Sequence, residues 1–384
     1  MRASLTLVAI ALLGARVPAQ TTHHVPQEHA TITEAVAAAA NGDTILVSKG
    51  LYQENVVITG FTDLTLKAKG KVIISPASGT GLTLDGCGDC TVTGFQFTDC
   101  ATAIILHSSH DVVVSKCRST DTAVGFRIEG GNDNTLSKCR VDGTNGGDGI
   151  RLDQTAGDFG NDHILSHCTV TDAAVDGIVA LGNDHLLDHC KVVNPGQDGI
   201  VLDDLAHCFF DTVNSCKVID SQRHGFALLA ADLKLTKCRI IAPVGNGILD
   251  LGCTDTEFDS CAVTKAGGDA IGTSDLSHGG SIHHCKLSAP TGDGLLVQGS
   301  SMTVAHNKLS KSLADGIGLH CSNSTFTSNT VSACAHDGFA LLAGDHDTLT
   351  SNKAHGSGNL DLDDIVGDAT NIVDGTNKFG TTGP

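Results

Sequence analysis

A short apolar motif returns along this chain at a nearly fixed interval, and that interval constrains the possible folds more than any other feature. A small residue followed by alternating apolar positions begins at Gly81, Ala103, Gly125, Gly149, Gly177, Gly199, Gly225, Gly247, Ala270, Gly294, Gly316 and Gly338, with a last repeat at Leu360. Seven of the twelve steps are 22 residues, and the others are slightly longer insertions. Each unit carries a second apolar patch further on, as in TLSKCRV, HLLDHCKV and KLTKCRI. Alternating segments this short, separated by Gly, Asn and Asp, read as strands joined by tight turns. A unit of this size cannot bury an apolar face alone, so its neighbours must stack on it. The 384 residues therefore predict one solenoid of about fourteen coils, on the order of 65 Å long at ~4.8 Å per strand. Length alone would have suggested two or three domains of ~150 residues.

Three segments follow. Residues 1–19 read as a secretory signal, with Arg2 ahead of the apolar run Leu5 to Leu13 and Val17-Pro18-Ala19 as the cleavage site. The expected product is secreted, or lies in the periplasm or cell envelope. No later stretch reaches the ~20 apolar residues of a membrane span. Residues 20–80 hold an entry cap and the first coils. HATITEAVAAAANGDTILVSKGLYQENVVI predicts an Ala-rich amphipathic helix, capped by Thr31 or Thr33 and ended by Asn41-Gly42. It would cover the strand edges and core that the first coil leaves open. Residues 81–384 are the repeats and a C-terminal tail.

The segment ATITEAVAAAANGDTILVSKGLYQENV resembles the entry of the pectin-lyase-like right-handed parallel β-helix superfamily. The later coils resemble its generic parallel β-helix repeats, including those of periplasmic proteins of nitrous-oxide reductase maturation. The resemblance spans nearly the whole mature chain. It implies an all-β right-handed solenoid with an N-terminal capping helix. That superfamily includes lyases, hydrolases, esterases, epimerases and adhesins, so the fold does not select an activity. It places active sites on the outer face of the strand that begins here with Gly-Ile-x-Leu. No catalytic signature of pectate lyases, polygalacturonases, pectin esterases or alginate epimerases stands in the chain.

Equivalent positions of a solenoid align, so three stripes carry the remaining information. The first is Cys117, Cys139, Cys168, Cys190, Cys216, Cys238, Cys261 and Cys285, continued by Asn307, Asn329 and Asn352. Fifteen Cys in an exported chain suggest disulfides, but an odd count at one repeat position predicts buried free thiols acting as small hydrophobes. Cys87-Gly-Asp-Cys90 is the one local pair able to bridge or ligate. The second stripe flanks the first with Lys116, Arg118, Lys138, Arg140, His167, His189, Lys191, Lys217, Lys237, Arg239, His284, Lys286, His306, Lys308 and Lys353. Eleven of the 24 Lys and Arg of a chain with net charge −19 stand there. The acidity argues against nucleic acid as a partner. The basic edge is either a solvated border that discourages edge association or a track for an extended polyanion. The third stripe is Asp148, Asp176, Asp198, Asp269, Asp293, Asp315 and Asp337, with His224, Asn246 and Asn359 substituting. Asp before Gly is turn chemistry, and stacked carboxylates also suggest Ca²⁺ as a cofactor.

Candidate chemistry falls on the Gly-Ile-x-Leu face. Its outward positions are charged in the early coils and apolar from Ala227 to Leu342, where a tail, a loop or a self-associating second copy would cover them. Arg127 and Arg151 could neutralise uronate carboxylates while Asp153, His163 or His185 takes the neighbouring proton, which is lyase or epimerase chemistry. Asp153 with Asp203 could instead support hydrolysis. One Tyr and no Trp leave few platforms for sugar stacking. No nucleophile elbow or phosphate-binding loop occurs, and His283-His284-Cys285 reads as a polar corner. The first reading is a secreted protein binding an extended, acidic polysaccharide, with lyase or epimerase activity as its catalytic form; the alternative is a structural or adhesive rod.

Overall fold

The computed structural model describes residues 20–154, 162–203, 211–364 and 371–380, so the segment expected to be a secretory signal lies outside the described residues. The repeats form a parallel β-helix. One strand of each coil joins a fourteen-stranded parallel sheet, from Val56–Thr59 through Ile150–Asp153 to Leu362–Asp364. We call it the first sheet. The other strands form a 28-stranded sheet, folded along one line into a second and a third face. In the early coils these two faces are one strand, as in Thr91–Thr98. Later they separate, as in Thr135–Ser137 and Arg140–Thr144. Pairing is in register between most coils, so that Phe126 faces Ile150 and Arg127 faces Arg151, with bulges after Ser48, Lys67 and Leu319.

The period-2 pattern sends every second residue inward. One continuous core of Ile, Val, Leu, Phe and Cys runs the length of the rod. Glycine opens the first-sheet strand because two groups approach it. A Cβ on Gly177 would lie 2.2 Å from Val192 of the third face and 2.5 Å from the Gly199 carbonyl of the next coil. That close approach explains the recurrence of Gly at this position.

The fold line runs through the Cys/Asn stripe. The residue just before each inward side chain is left-handed, with φ near 55° at Lys116, Lys138, His167, His189, Lys237, His284 and His306. Asn329 Oδ1 accepts from the Asn307 N–H at 3.0 Å, while Asn329 Nδ2 donates to the Val304 carbonyl at 2.9 Å. Thiols repeat the second bond: Cys190 Sγ donates to Leu165 O at 3.3 Å, and Cys216 Sγ to Leu187 O at 3.4 Å. Cys and Asn interchange here because each offers a donor to the same mid-strand carbonyl of the preceding coil. The fourteen described cysteines are all buried and free, and burial pushes the Cys117 thiol well up. Cys87 and Cys90 are among them.

The N-terminal helix spans Ile32–Ala38 and is capped by Thr31, whose hydroxyl accepts from Glu34 N at 3.0 Å. Glu54 of the adjoining coil accepts from the Ile32 and Thr33 N–H groups. The helix ends before Asn41-Gly42, short of the expected stop. Asp43 accepts from both Ala40 N and Thr21 N, drawing the chain into the first strands. At the other end, Ile372–Val373 and Lys378–Phe379 continue the second and third faces, and Phe379 packs edge-on against Phe339. These described tail residues extend the solenoid instead of covering the first-sheet face.

Asn329→Ala removes a shared acceptor and donor inside the ladder, and unpaired buried groups cost about 1–3 kcal/mol each. It should lower stability by at least about 3 kcal/mol in denaturant unfolding, whereas Asn329→Cys should cost clearly less because the carbonyl contact survives. Equal losses would mean that the ladder hydrogen bonds do not hold the corner.

Candidate functional site

The first-sheet face carries its charge as a connected chain of ion pairs. Adjacent coils place outward residues side by side, so Arg127 lies next to Arg151 and Glu129 next to Asp153. Two arginines this close require anions between them. Asp153 supplies one, accepting from Arg127 Nε at 2.6 Å and from Arg151 Nε at 2.5 Å. Arg127 Nη1 also meets Glu129 Oε1 at 2.8 Å, and Arg151 Nη1 donates to Asp148 Oδ2 at 2.9 Å. His107 Nδ1 extends the chain to Glu129 Oε2 at 3.3 Å. The guanidinium of Arg151 is half-buried; burial opposes its charge, but Asp148 and Asp153 raise its pKa further. Asp153 is thus engaged by two guanidinium groups, which a free general base is not. Asp203 stands outward on the same sheet, two coils beyond Asp153, and pairs in register with Leu181 and Leu229.

His163 and His185 do not join this cluster. Both are buried at 1 % exposure, on the inward side of the corner between the first and second faces. Asn134 N donates to His163 Nδ1 at 3.2 Å, His163 N to His185 Nδ1 at 3.3 Å, and His185 N to Asp211 Oδ1 at 2.7 Å. The two rings stack 5.3 Å apart. Burial drives His163 down to about 3 and His185 down to about 4, so both are neutral at pH 7. The expectation that they stand beside Arg151 and Asp153 is corrected: they are internal acceptors for the backbone of the preceding coil. His163 alternates with inward Leu165, and His185 with inward Leu187, so the parity of the second-face strand held the signal.

The Asp stripe is a second ladder. Asp148 Oδ1 accepts from Asp176 N at 3.1 Å and Asp176 Oδ1 from Asp198 N at 2.8 Å. The pattern continues through His224, Asn246, Asp269, Asp293 and Asp315 to Asp337, whose Oδ1 takes Leu360 N. Each side chain caps the turn of the next coil. Burial and the neighbouring carboxylates push Asp176 and Asp293 up to about 6. Calcium takes 6–8 oxygen ligands. Among the described residues no three of these carboxylates converge on one point.

The apolar half of the first-sheet face is narrower than the sequence suggested. Leu229 and Leu251 are 40 % and 42 % exposed, while Ala227 and Ala340 are buried. Gly272 and Gly318 leave space for Asp269 and Asp293, whose Oδ2 atoms lean over the sheet there.

The basic stripe flanks the Cys/Asn corner on its outer side, where Lys116, Lys138, Lys191, Lys237, Arg239, Lys286, Lys308 and Lys353 are all exposed. Arg118 and Arg140 share Asp142 at 2.6 and 2.5 Å. From Lys191 to Lys353, the lysines and arginine of the stripe make no ion pair with a described carboxylate. Lys286 and Lys308 border a shallow depression with Ser288, Ser310 and Thr330. The registered parallel sheet aligns Lys191, Lys217 and Arg239, and again Lys286 and Lys308, in one row after the Cys/Asn position, about 4.8 Å apart along the rod where consecutive coils both carry one.

A family model described as "right handed beta helix region" matches residues 48–186, 176–296 and 225–379. No curated protein matches the chain in sequence. Among solved structures, the catalytic domain of a GH87 α-1,3-glucanase aligns with TM-score 0.60 and 10 % identity, over 93 % of this chain and 69 % of that one. The A-module of the Azotobacter vinelandii mannuronan C-5 epimerase AlgE4 aligns with TM-score 0.56 and 15 % identity, over 89 % and 94 %. A mannuronic acid-specific family 6 polysaccharide lyase from human gut microbiota gives 0.54 and 12 %, over 88 % and 87 %. At such identities the likeness is one of fold.

The two titrating ladders oppose each other. Asp176 and Asp293 are raised above their ordinary 3.8, so their contribution is full below pH 3.8 and is lost as pH rises through about 6. His163 is lowered from 6.5, so its contribution is full above pH 6.5 and is lost as pH falls toward 3. Asp293→Asn, which keeps the turn acceptor as Asn246 does, should raise Tm at pH 8 and have little effect at pH 4. His163→Asn should gain on the wild type as pH falls from 7 to 4. Parallel melting curves across that range for either variant would contradict these assignments.

Proposed function

The chain belongs to the right-handed beta helix family, and from that premise we propose that it is an exported protein that binds an extended acidic polysaccharide along the outer Cys/Asn corner. The observation that carries the reading is the row of Lys and Arg from Lys191 to Lys353, exposed at every position but the half-buried Lys217 and without an ion pair among the described residues, on a chain of net charge −19. A chain so acidic gains no solubility from collecting its cations on one edge, and a regular polyanion is the partner whose charges such a row complements. Serine and threonine hydroxyls between the lysines offer hydrogen bonds to sugar hydroxyls. Individual contacts with exposed cations are weak, so affinity comes from many acting together and falls as salt screens them. That some fold neighbours are a mannuronan epimerase and a mannuronic acid-specific lyase is in keeping with a polyuronate ligand.

A second reading places lyase or epimerase chemistry at Arg127, Arg151 and Asp153. Its support is the clustering of two cations and two carboxylates on an outward sheet face. The two guanidinium groups already neutralised by Asp153, Glu129 and Asp148 favour a static ion-pair ladder, and hence binding without turnover.

Sedimentation with insoluble alginate or polygalacturonate gels should show binding that weakens steeply between 50 and 300 mM salt, roughly as the Debye length shrinks from above to below ~10 Å. Arg239→Thr combined with Lys286→Thr and Lys308→Thr, using the residue found at Thr169 and Thr330, should weaken it at least tenfold. Arg151→Ala should leave binding unchanged. Loss of binding on Arg151→Ala, or new unsaturated ends or epimerised residues in the glycan, would move the site to the first sheet.

A further inference from the structure

One cluster on the second face brings together a carboxylate and two imidazoles that a stripe of turn residues does not need. The strand Glu257–Asp259 lies directly beside Ser281–His283, with Glu257 opposite Ser281 and Asp259 opposite His283. His284 follows at the left-handed corner position, φ 56°. This brings His283 Nδ1 to 3.0 Å from Asp259 Oδ1 and His284 Nδ1 to 3.3 Å from the same oxygen, while the two Nδ1 atoms are 3.2 Å apart. Among the described residues this is the one group of three His, Cys, Asp or Glu whose ligand atoms converge. Metal–ligand bonds of 2.0–2.2 Å at tetrahedral angles separate ligand atoms by about 3.3 Å. The three edges seen here match one face of such a tetrahedron.

The surroundings orient the donors toward that centre. Lys234 Nζ holds Glu257 Oε2 at 2.7 Å, and the other oxygen of Glu257 meets His283 Nε2 at 3.4 Å. A proton on Nε2, on the side of Glu257, leaves the lone pair on Nδ1. That is the tautomer of a metal-ligating histidine whose far nitrogen is held by a carboxylate. A lone pair then faces a carboxylate oxygen at 3.0 Å, an arrangement that a cation between them satisfies. His284 is steadied by stacking on His306, 5.3 Å away and 7° from parallel. Partial burial works against the charge of Asp259, but the Ser260 hydroxyl and the two imidazoles hold its carboxyl below the ordinary range.

We propose that Asp259, His283 and His284 form a binding site for a first-row divalent transition metal such as Zn²⁺, with one coordination position open to solvent. Nitrogen and oxygen donors of this kind suit Zn²⁺, Ni²⁺ or Co²⁺ better than Ca²⁺ or Mg²⁺. His284 is exposed and the other two are half-buried, so the ion has a path in and the fourth position takes water or an external ligand. The site does not depend on polysaccharide binding, since none of its three ligands belongs to the unpaired Lys and Arg row.

The test uses the untagged, EDTA-treated full chain, titrated with Zn²⁺ against a chromophoric chelator and, separately, with Co²⁺ followed by absorption. One equivalent should bind, and the Co²⁺ complex should show visible d–d bands without the near-ultraviolet thiolate band that a cysteine site would give. Asp259→Ser, His283→Ala and His284→Lys each install the residue found at an equivalent position of another coil, at Ser137, Ala305 and Lys237. Each should therefore fold, with melting of the metal-free protein as the check, and each should weaken Zn²⁺ binding at least a hundredfold. Glu257→Gln should weaken it about tenfold, as loss of an orienting partner does. Wild-type binding no tighter than that of the Asp259→Ser, His284→Lys double variant would overturn the proposal, and so would a Co²⁺ spectrum dominated by thiolate.

Discussion

The structure depends on one requirement, that every coil hand its backbone N–H and C=O groups to the coils on either side. Parallel strands do this along the three faces. At the corners the backbone turns away from its neighbour, and a buried unpaired amide or carbonyl there would cost as much as a lost hydrogen bond. The chain meets the requirement with side-chain ladders. Cys and Asn serve at the outer fold line; Asn134, His163, His185 and Asp211 serve at the inner corner; and the Asp stripe serves at the turn before the first sheet. Residues that in isolation look like redox, catalytic or metal chemistry are here substitutes for backbone partners.

This division also separates what is fixed from what is available for function. A side chain that accepts from a neighbouring coil is committed, because moving it leaves a buried donor unpaired. His163 and His185 are committed in this way, and so is one oxygen of every Asp in the turn ladder. The first-sheet arginines are committed differently, each neutralised by carboxylates of its own or the adjoining coil. What remains free lies on the outside of the Cys/Asn corner. There the left-handed residue and its neighbour after the Cys must point outward whatever they are, and the chain has filled many of these places with Lys, Arg and His. The metal cluster and the basic row are both products of that geometry, since both use outward positions that the fold leaves unassigned.

Titration links the ladders to conditions. Raised carboxyl pKa values in the turn ladder and lowered imidazole pKa values at the inner corner act with opposite sign between pH 4 and 6.5. The rod is thereby buffered, since loss of stability in one ladder as pH changes is offset in part by the other. The Cys ladder lies in the apolar core, where burial opposes the thiolate, as at Cys117.

The 22-residue interval alone determined the solenoid, its parallel pairing, the inward Cys/Asn stripe and the outward basic stripe, because a stacked repeat leaves no choice of which positions align. It also held the inward direction of His163 and His185, through their alternation with Leu165 and Leu187, although a search for catalytic pairs in the loops reads past that parity. Only the tertiary structure decided which charges are spent. Arg127 and Arg151 meet Asp153 across coils 24 residues apart in the repeat, and Asp259 meets His283 across another such step. Whether two such residues pair, repel or converge on a point depends on side-chain rotamers and on angstrom-scale register between coils. A one-dimensional pattern specifies which residues are neighbours and does not specify how far apart their atoms lie.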